Sequence, residues 1–279
     1  MTQATGGNGS IRRATGVFAA LLAATALLAG CGTKEGPGAV PDRTTGSTPT
    51  ASPTPSASPK ETLLAAVPDE GESTFRFSGR DSSSKLNGRI DPESLAYEIH
   101  LASGPDKDGI SAKMSFLTIK DKTWVKIKFN GHSGLPRFPD KWMSLDKSKI
   151  TASGVIPEYD GADPGSAAPL IGAATSVEER GPGKYAGFID VTEGNVGDAL
   201  EEGEAAALGA AGRRVPFTAT VGPDEHLASL VLKMPASGDR KAYQYVVQYS
   251  GFGSTPKISA PTGDAATKAP ALVYEILNS

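Results

Sequence analysis

From Phe75 onward the apolar residues of this 279-residue chain recur at every second position, and that period constrains the fold more than any other feature. Phe75 and Phe77 flank Arg76. Leu95, Tyr97, Ile99 and Leu101 alternate with Glu98 and His100. Met114 and Phe116 follow, and then Val125, Ile127 and Phe129 against Lys126 and Lys128. Period-two alternation predicts strands with one apolar and one wet face, the pattern of an antiparallel sheet covered on one side. Turn-forming residues sit between the runs, at Asp81-Ser82-Ser83-Ser84, Ser103-Gly104-Pro105-Asp106 and Lys120-Asp121-Lys122. The first half of the domain reads as a meander.

The pattern then breaks. Trp142-Met143-Ser144-Leu145-Asp146 reads as a short strand, and residues 147–165 are rich in Gly, Pro and Asp. Residues 167–174 predict a short helix with Pro169 near its first turn. Alternation resumes over Lys184–Val191, and the Ala- and Glu-rich stretch Gly197–Ala211 predicts a further helix. Val215–Val221, Leu227–Met234 and Tyr243–Tyr249 predict three closing strands; in the last, Tyr243, Tyr245, Val247 and Tyr249 share a face opposite Gln244 and Gln248. A helical pattern over Glu61–Val67, stopped by Pro68, precedes the first strand. The expectation is an α+β domain over residues 60–261, a large curved antiparallel sheet with helices on its concave face, followed by a tail over 262–279.

Ahead of the domain the chain has a different character. Arg12 and Arg13 precede an uncharged apolar run from Val17 to Leu27, and small residues lead to Cys31, the single cysteine of the protein. A basic start, an apolar middle and small residues before a break are the parts of an export signal. The run is shorter than the roughly 20 residues a bilayer span needs. Leu28-Ala29-Gly30-Cys31 resembles the lipobox of bacterial lipoproteins, Leu-(Ala/Ser)-(Gly/Ala)-Cys. That resemblance implies removal of residues 1–30 and a diacylglycerol on the sulfur of Cys31, with fatty acids such as palmitate holding the chain on the membrane's extracytoplasmic face. Ala14-Thr15-Gly16 lacks the Phe-Leu-Lys continuation of a twin-arginine signal, which leaves the export route open. Residues 31–59, with the Ser/Thr/Pro tract Thr44–Pro59, read as a solvated tether.

Composition narrows the function classes. The formal net charge of −3 argues against nucleic acid, whose binders carry basic stripes. One cysteine allows no intrachain disulfide and no cysteine metal cluster. The three histidines, His100, His132 and His226, have no zinc-site spacing. Gly131-His132-Ser133-Gly134 places Leu135 where a serine nucleophile elbow needs glycine. Asp160-Gly161-Ala162-Asp163 lacks the further oxygens of a calcium loop. Glu178-Glu179 and Glu201-Glu202 read as solvated charges. No nucleophile–base pair can be assembled, so a hydrolase is the remote reading, and no metal or cofactor is expected.

The order of elements is similar to that of the actinobacterial LppX/LprAFG lipoproteins and, more distantly, of the LolA/LolB carriers. The resemblance rests on Trp124-Val125-Lys126-Ile127 with Trp142–Asp146, on Gly183–Asp190, on the hairpin Val215–Leu232 turning at Val221-Gly222-Pro223-Asp224, and on Tyr249-Ser250-Gly251-Phe252-Gly253 with Ile258–Pro261. It covers nearly all of Lys60–Pro261, and residues 262–279 lie beyond that family's usual end. It implies a LolA-like half-barrel with an apolar cavity for the acyl chains of lipids or lipoglycans. The candidate lining residues are Phe75, Phe77, Tyr97, Ile99, Phe116, Ile127, Phe217 and Tyr245, for each of which ordinary core packing is the competing role. The expected protein is a monomeric, non-enzymatic carrier. Its rival is a structural or signalling lipoprotein of the same fold, fully packed, that offers its polar face or the 147–165 loop to a protein partner.

Overall fold

A computed structural model describes residues 57–279 except 158, 194–195, 197–198 and 202. The expected export signal, Cys31 and the expected tether as far as Ser56 lie outside the described residues. Structure begins with helix α1 (Pro59–Ala65). Ser58 Oγ accepts from the Glu61 amide at 3.3 Å and the Glu61 carboxylate accepts from the Ser58 amide at 2.7 Å, a reciprocal cap with proline in the first turn. Ser58 and Pro59, expected at the end of the tether, thus belong to the domain. Leu63 of this helix is fully buried.

The strands are β1 (Phe75–Arg80), β2 (Ser84–Asp91), β3 (Ala96–Ser103), β4 (Ser111–Ile119), β5 (Lys122–Asn130), β6 (Trp142–Ser144), β7 (Ala174–Gly181), β8 (Lys184–Ile189), β9 (Val215–Val221), β10 (Leu227–Met234), β11 (Tyr243–Ser250) and β12 (Ala266–Lys268). They form one sheet in the order β12-β6-β5-β4-β3-β2-β1-β11-β10-β9-β8-β7. The chain meanders outward from β1 to β6. It crosses to the far edge at β7 and meanders back until β11 closes against β1, with Phe77 opposite Tyr249. The edges β12 and β7 do not pair with each other, so the sheet is open. It is also mixed: β12 lies parallel to β6, whereas the expectation was wholly antiparallel. A parallel neighbour needs a long return connection, and the stretch after β11 supplies it.

Helices α2 (Ala167–Gly172), α3 (Glu204–Leu208) and α4 (Ala271–Leu277) complete the set with short 3-10 turns. The main core lies on one sheet face, where Leu63 of α1, Leu170 and Ile171 of α2, and Val273 and Leu277 of α4 meet the apolar residues of β1 to β11. A small second cluster of Ala96, Leu117, Trp124 and Ile258 occupies the opposite face. Leu117 and Trp124 stand opposite each other in the register, one position away from the Phe116–Val125 pair of the main face. Period two sorts these neighbours to opposite sides.

Several expectations are corrected. The sequence reading missed β2, because Ser84-Lys85-Leu86-Asn87-Gly88-Arg89 holds one large apolar residue among its first six. Gly88 is required there: a Cβ would lie 1.9 Å from the Glu98 carbonyl oxygen and 2.9 Å from the Phe77 ring, which covers the glycine from the adjacent strand. Phe217 covers Gly187 in the same way on the other half of the sheet. Strand β7 was also missed; it is an edge strand, mostly exposed and charged, so it carries no apolar alternation. Leu95 is not on the core face. It takes a left-handed conformation (φ 48°) in the β2–β3 turn and is 47% exposed. Of the helix expected over 197–211, the described residues form α3 and a 3-10 turn, with Gly203 and Gly209 at positive φ on either side of α3. Residues 262–279 are not a tail: they form β12 and α4, and Val273 and Leu277 are in the main core.

Candidate functional site

The eight candidate lining residues fall on one face. Phe77, Ile99 and Phe116 form one cross-strand row through Gly88, and Tyr249 extends it from β11. Phe75 and Tyr97 flank Ile90 in the next row, and Ile127 stands opposite Met114 in the row on the other side. Phe217 and Tyr245 share Leu232 as a neighbour across β9, β10 and β11. Seven of the eight are buried, and Tyr245 is half-buried against the same core. All eight are packed in this conformation. Two hollows of about 470 and 320 Å³ border the domain, the first beside α2 and the start of β7, the second beside β6, and none of the eight lines either.

What covers this face is unlike the sheet beneath it. The roof consists of α1, α2, α4 and the irregular segment 145–166, and hydrogen bonds at named points attach it. Tyr245 Oη donates to the Gly165 carbonyl at 2.9 Å. Tyr249 Oη donates to Asp163 Oδ1, while Asp163 Oδ2 accepts from the Ala168 amide at 2.8 Å. Tyr159 stacks on Tyr97 with ring centroids 6.5 Å apart and donates to Glu70 at 2.6 Å. Lys60 of α1 donates to the carbonyls of Gly172 and Ala174, tying the end of α2 to the start of β7. At the other end, Asn278 holds residues 149–152 by three hydrogen bonds, and Tyr274 Oη accepts from the Asp146 amide at 3.0 Å.

Burial pushes the Tyr245 and Tyr249 phenols above their ordinary value, and the nearby charge of Asp163 adds to the effect. Both therefore stay protonated and keep donating. Tyr243 behaves alike through burial and its bond to Glu204, a buried carboxylate that Arg240 neutralises at 2.6 Å.

The residues that attach the roof were only partly visible beforehand. Tyr249 was placed on the right face of its strand, but its partner Asp163 was weighed only as a cation ligand. That carboxylate is taken up by a phenol and an amide, 86 residues and 5 residues away in sequence. Glu70 and Lys60 carried no signal at all, since each acts on a residue about 90 or more positions away.

The histidines are separate. His100 bonds Ser115 at 2.8 Å on the wet face, His132 lies in an exposed loop, and His226 stacks on Phe252 and contacts Glu72 at 3.0 Å. Among the described residues no group of three His, Cys, Asp or Glu side chains is placed to hold a metal ion, and no helix is long and apolar enough to cross a membrane.

Fold and site together define a class: an α+β protein whose open twelve-stranded mixed sheet carries a roofed aromatic face. No protein-family model matches this chain, and no curated protein does.

Proposed function

We propose that this chain is a membrane-anchored, extracytoplasmic lipoprotein of the LppX/LprAFG kind, with a LolA-like half-barrel that takes lipid or lipoglycan acyl chains between sheet and roof. One observation carries the reading. The broad aromatic face of an open sheet is covered by helices of six or seven residues and an irregular segment, attached at a handful of polar points. Each such bond contributes about 0.5–1.5 kcal/mol. A sixteen-carbon chain brings on the order of 10 kcal/mol of methylene burial, at about 0.8 kcal/mol each. Burial of an acyl chain that replaces the roof's apolar contacts is therefore of the same order as the polar bonds that hold the roof shut, about 5–15 kcal/mol for the ten described above. The role is binding, without catalysis, and the membrane is the first partner, through Cys31.

A second reading is favoured by the packing of all eight lining candidates: a filled module that presents its polar face, the 147–165 segment or a sheet edge to a protein partner. The free edge at β7 suits strand addition. Native mass spectrometry of residues 57–279, purified from a lipid-containing host and again after delipidation, separates the two. Co-purifying diacyl masses that rebind support the carrier. A clean apo mass with no uptake of added lipid overturns it in favour of the packed module.

A further inference from the structure

The wet face of the sheet is not uniformly polar. The register places Arg80 opposite Lys85, Lys85 opposite Ala102, Ala102 opposite Lys113 and Lys113 opposite Lys128. Five adjacent strands thus carry one transverse row with four cations and one alanine. All four cations are exposed. Like charges directly opposite across strands repel, and the row contains two such pairs.

Among the described residues no carboxylate forms an ion pair with Arg80, Lys85, Lys113 or Lys128, and Arg80 bonds only the neutral Gln244 side chain. Adjacent rows behave differently: Lys126 meets Asp140 at 3.7 Å and lies over the Trp142 ring, and Arg89 pairs with Glu98 at 2.7 Å. Two acids of the bordering turns are engaged by their own turns, and neither they nor the exposed Asp108 forms an ion pair with the row among the described residues. Asp81 accepts from the Ser83 and Ser84 amides, and Asp106 from those of Asp108 and Ile110. The whole chain is net acidic, so this row is a local excess of one sign.

Its position adds a second argument. Each cation neighbours, in sequence, a residue of the opposite face, and there the same end of the sheet carries the half-buried row Leu86, Leu101 and Met114. Cations outside and apolar side chains inside therefore meet at one rim, the end bounded by the turns 81–84, 103–110 and 130–134. A rim of that chemistry matches a bilayer surface, where anionic headgroups lie above acyl chains.

We propose that this rim is the membrane-docking end of the domain, with Arg80, Lys85, Lys113 and Lys128 seated on the headgroups of an anionic bilayer. The inference rests on the carrier reading, because a chain anchored at Cys31 meets that surface and the acyl chains it takes between sheet and roof come from it.

The test uses the mature chain from its host, with mass spectrometry first recording the acyl group on Cys31. The acylated chain is placed in vesicles of phosphatidylcholine alone or with phosphatidylglycerol, and lysine acetylation is followed residue by residue. Lys85, Lys113 and Lys128 are expected to react about fivefold more slowly when phosphatidylglycerol is present. Lys122 and Lys184, exposed at the strand starts toward the opposite end of the sheet, keep their rates. The protection disappears near 1 M NaCl, where the screening length falls to about 3 Å. In the Lys85→Gln/Lys113→Gln/Lys128→Gln variant, hydrogen exchange of the turn amides 104–110 becomes independent of phosphatidylglycerol.

Equal acetylation of both lysine groups in both vesicles overturns the docking. So does equal protection in phosphatidylcholine alone, which points to a protein or polymer that co-purifies on the row. If Cys31 carries no acyl group, the anchor reading fails by itself. The same chain is then floated with phosphatidylglycerol vesicles: salt-sensitive flotation supports the docking, and its absence overturns it.

Discussion

Tyr245 Oη lies 2.9 Å from the carbonyl oxygen of Gly165, so a phenol on the last long strand holds the middle of the segment that roofs the sheet. Four residues on, Tyr249 holds Asp163 of the same segment. The two residues are 80 and 86 positions from their partners, and they make the roof a part of the core face.

Removing these donors is therefore expected to loosen the roof before it unfolds the sheet. Tyr249→Phe leaves the Asp163 carboxylate short of a donor and costs about 1–3 kcal/mol; Tyr245→Phe costs about 1 kcal/mol. Urea unfolding measures both. Hydrogen exchange of residues 159–168 is expected to rise in each variant while the β3–β4 amides keep their protection. Unchanged exchange in the roof would show that the two phenols do not hold it.

The C-terminal helix is expected to be indispensable. Leu277 is 3% exposed within the main core, and Leu277→Ala is expected to cost about 2–5 kcal/mol. A thermal melt within a degree of the parent would place α4 outside the cooperative unit.

Stability is expected to fall at both ends of the pH scale. A hydrogen bond from His100, and the Arg89 guanidinium after it, hold the Glu98 carboxyl below its ordinary 4.5 despite burial. A lowered folded value makes the contribution full above 4.5 and lost as pH falls through the lowered value. The raised phenols of Tyr243, Tyr245 and Tyr249 act in reverse. Their contribution is full below the ordinary 10.0 and is lost as pH rises past it, because only the unfolded chain then releases the proton. Urea midpoints measured from pH 3 to 11 check both limbs. Glu98→Gln is expected to flatten the acid limb alone, and the double variant Tyr245→Phe/Tyr249→Phe the alkaline one.

At Gly88 the expectation is steric. Gly88→Ala drives a methyl group against the Glu98 carbonyl and the Phe77 ring, and overpacking of this kind costs about 1–3 kcal/mol or more. Chemical denaturation gives the number, and a neutral result would mean that β2 shifts away from β3 without penalty.

Cys31→Ser is expected to abolish acylation and leave residues 1–30 attached, seen as the intact mass of the chain recovered from its host. Identical processing of both forms would remove the anchor from the proposed function.

Much of the sheet was legible because alternation reports a one-sided environment. β9 and β10 fall on the expected residues, and β3, β4 and β5 lie where Tyr97, Phe116 and Ile127 pointed. β2 and β7 were illegible for opposite reasons. In β2 the neighbouring Phe77 ring supplies the apolar mass over Gly88, and β7, at the edge, has almost no apolar face to display.

The sequence by itself determined the faces of the strands that alternate, most of the turn positions, the acidic balance, and the single cysteine behind an apolar run. Each is a local matter, set by residues within a few positions of one another. Only the tertiary structure decided that β12 runs parallel beside β6, that α4 enters the core, and that Asp163 meets Tyr249 instead of a cation. It also decided that four cations from four different strands share one row. The physical reason is common to all of these. Register and crossover bring together residues tens to more than a hundred positions apart, and no periodicity within a short window encodes which distant strand a residue will face.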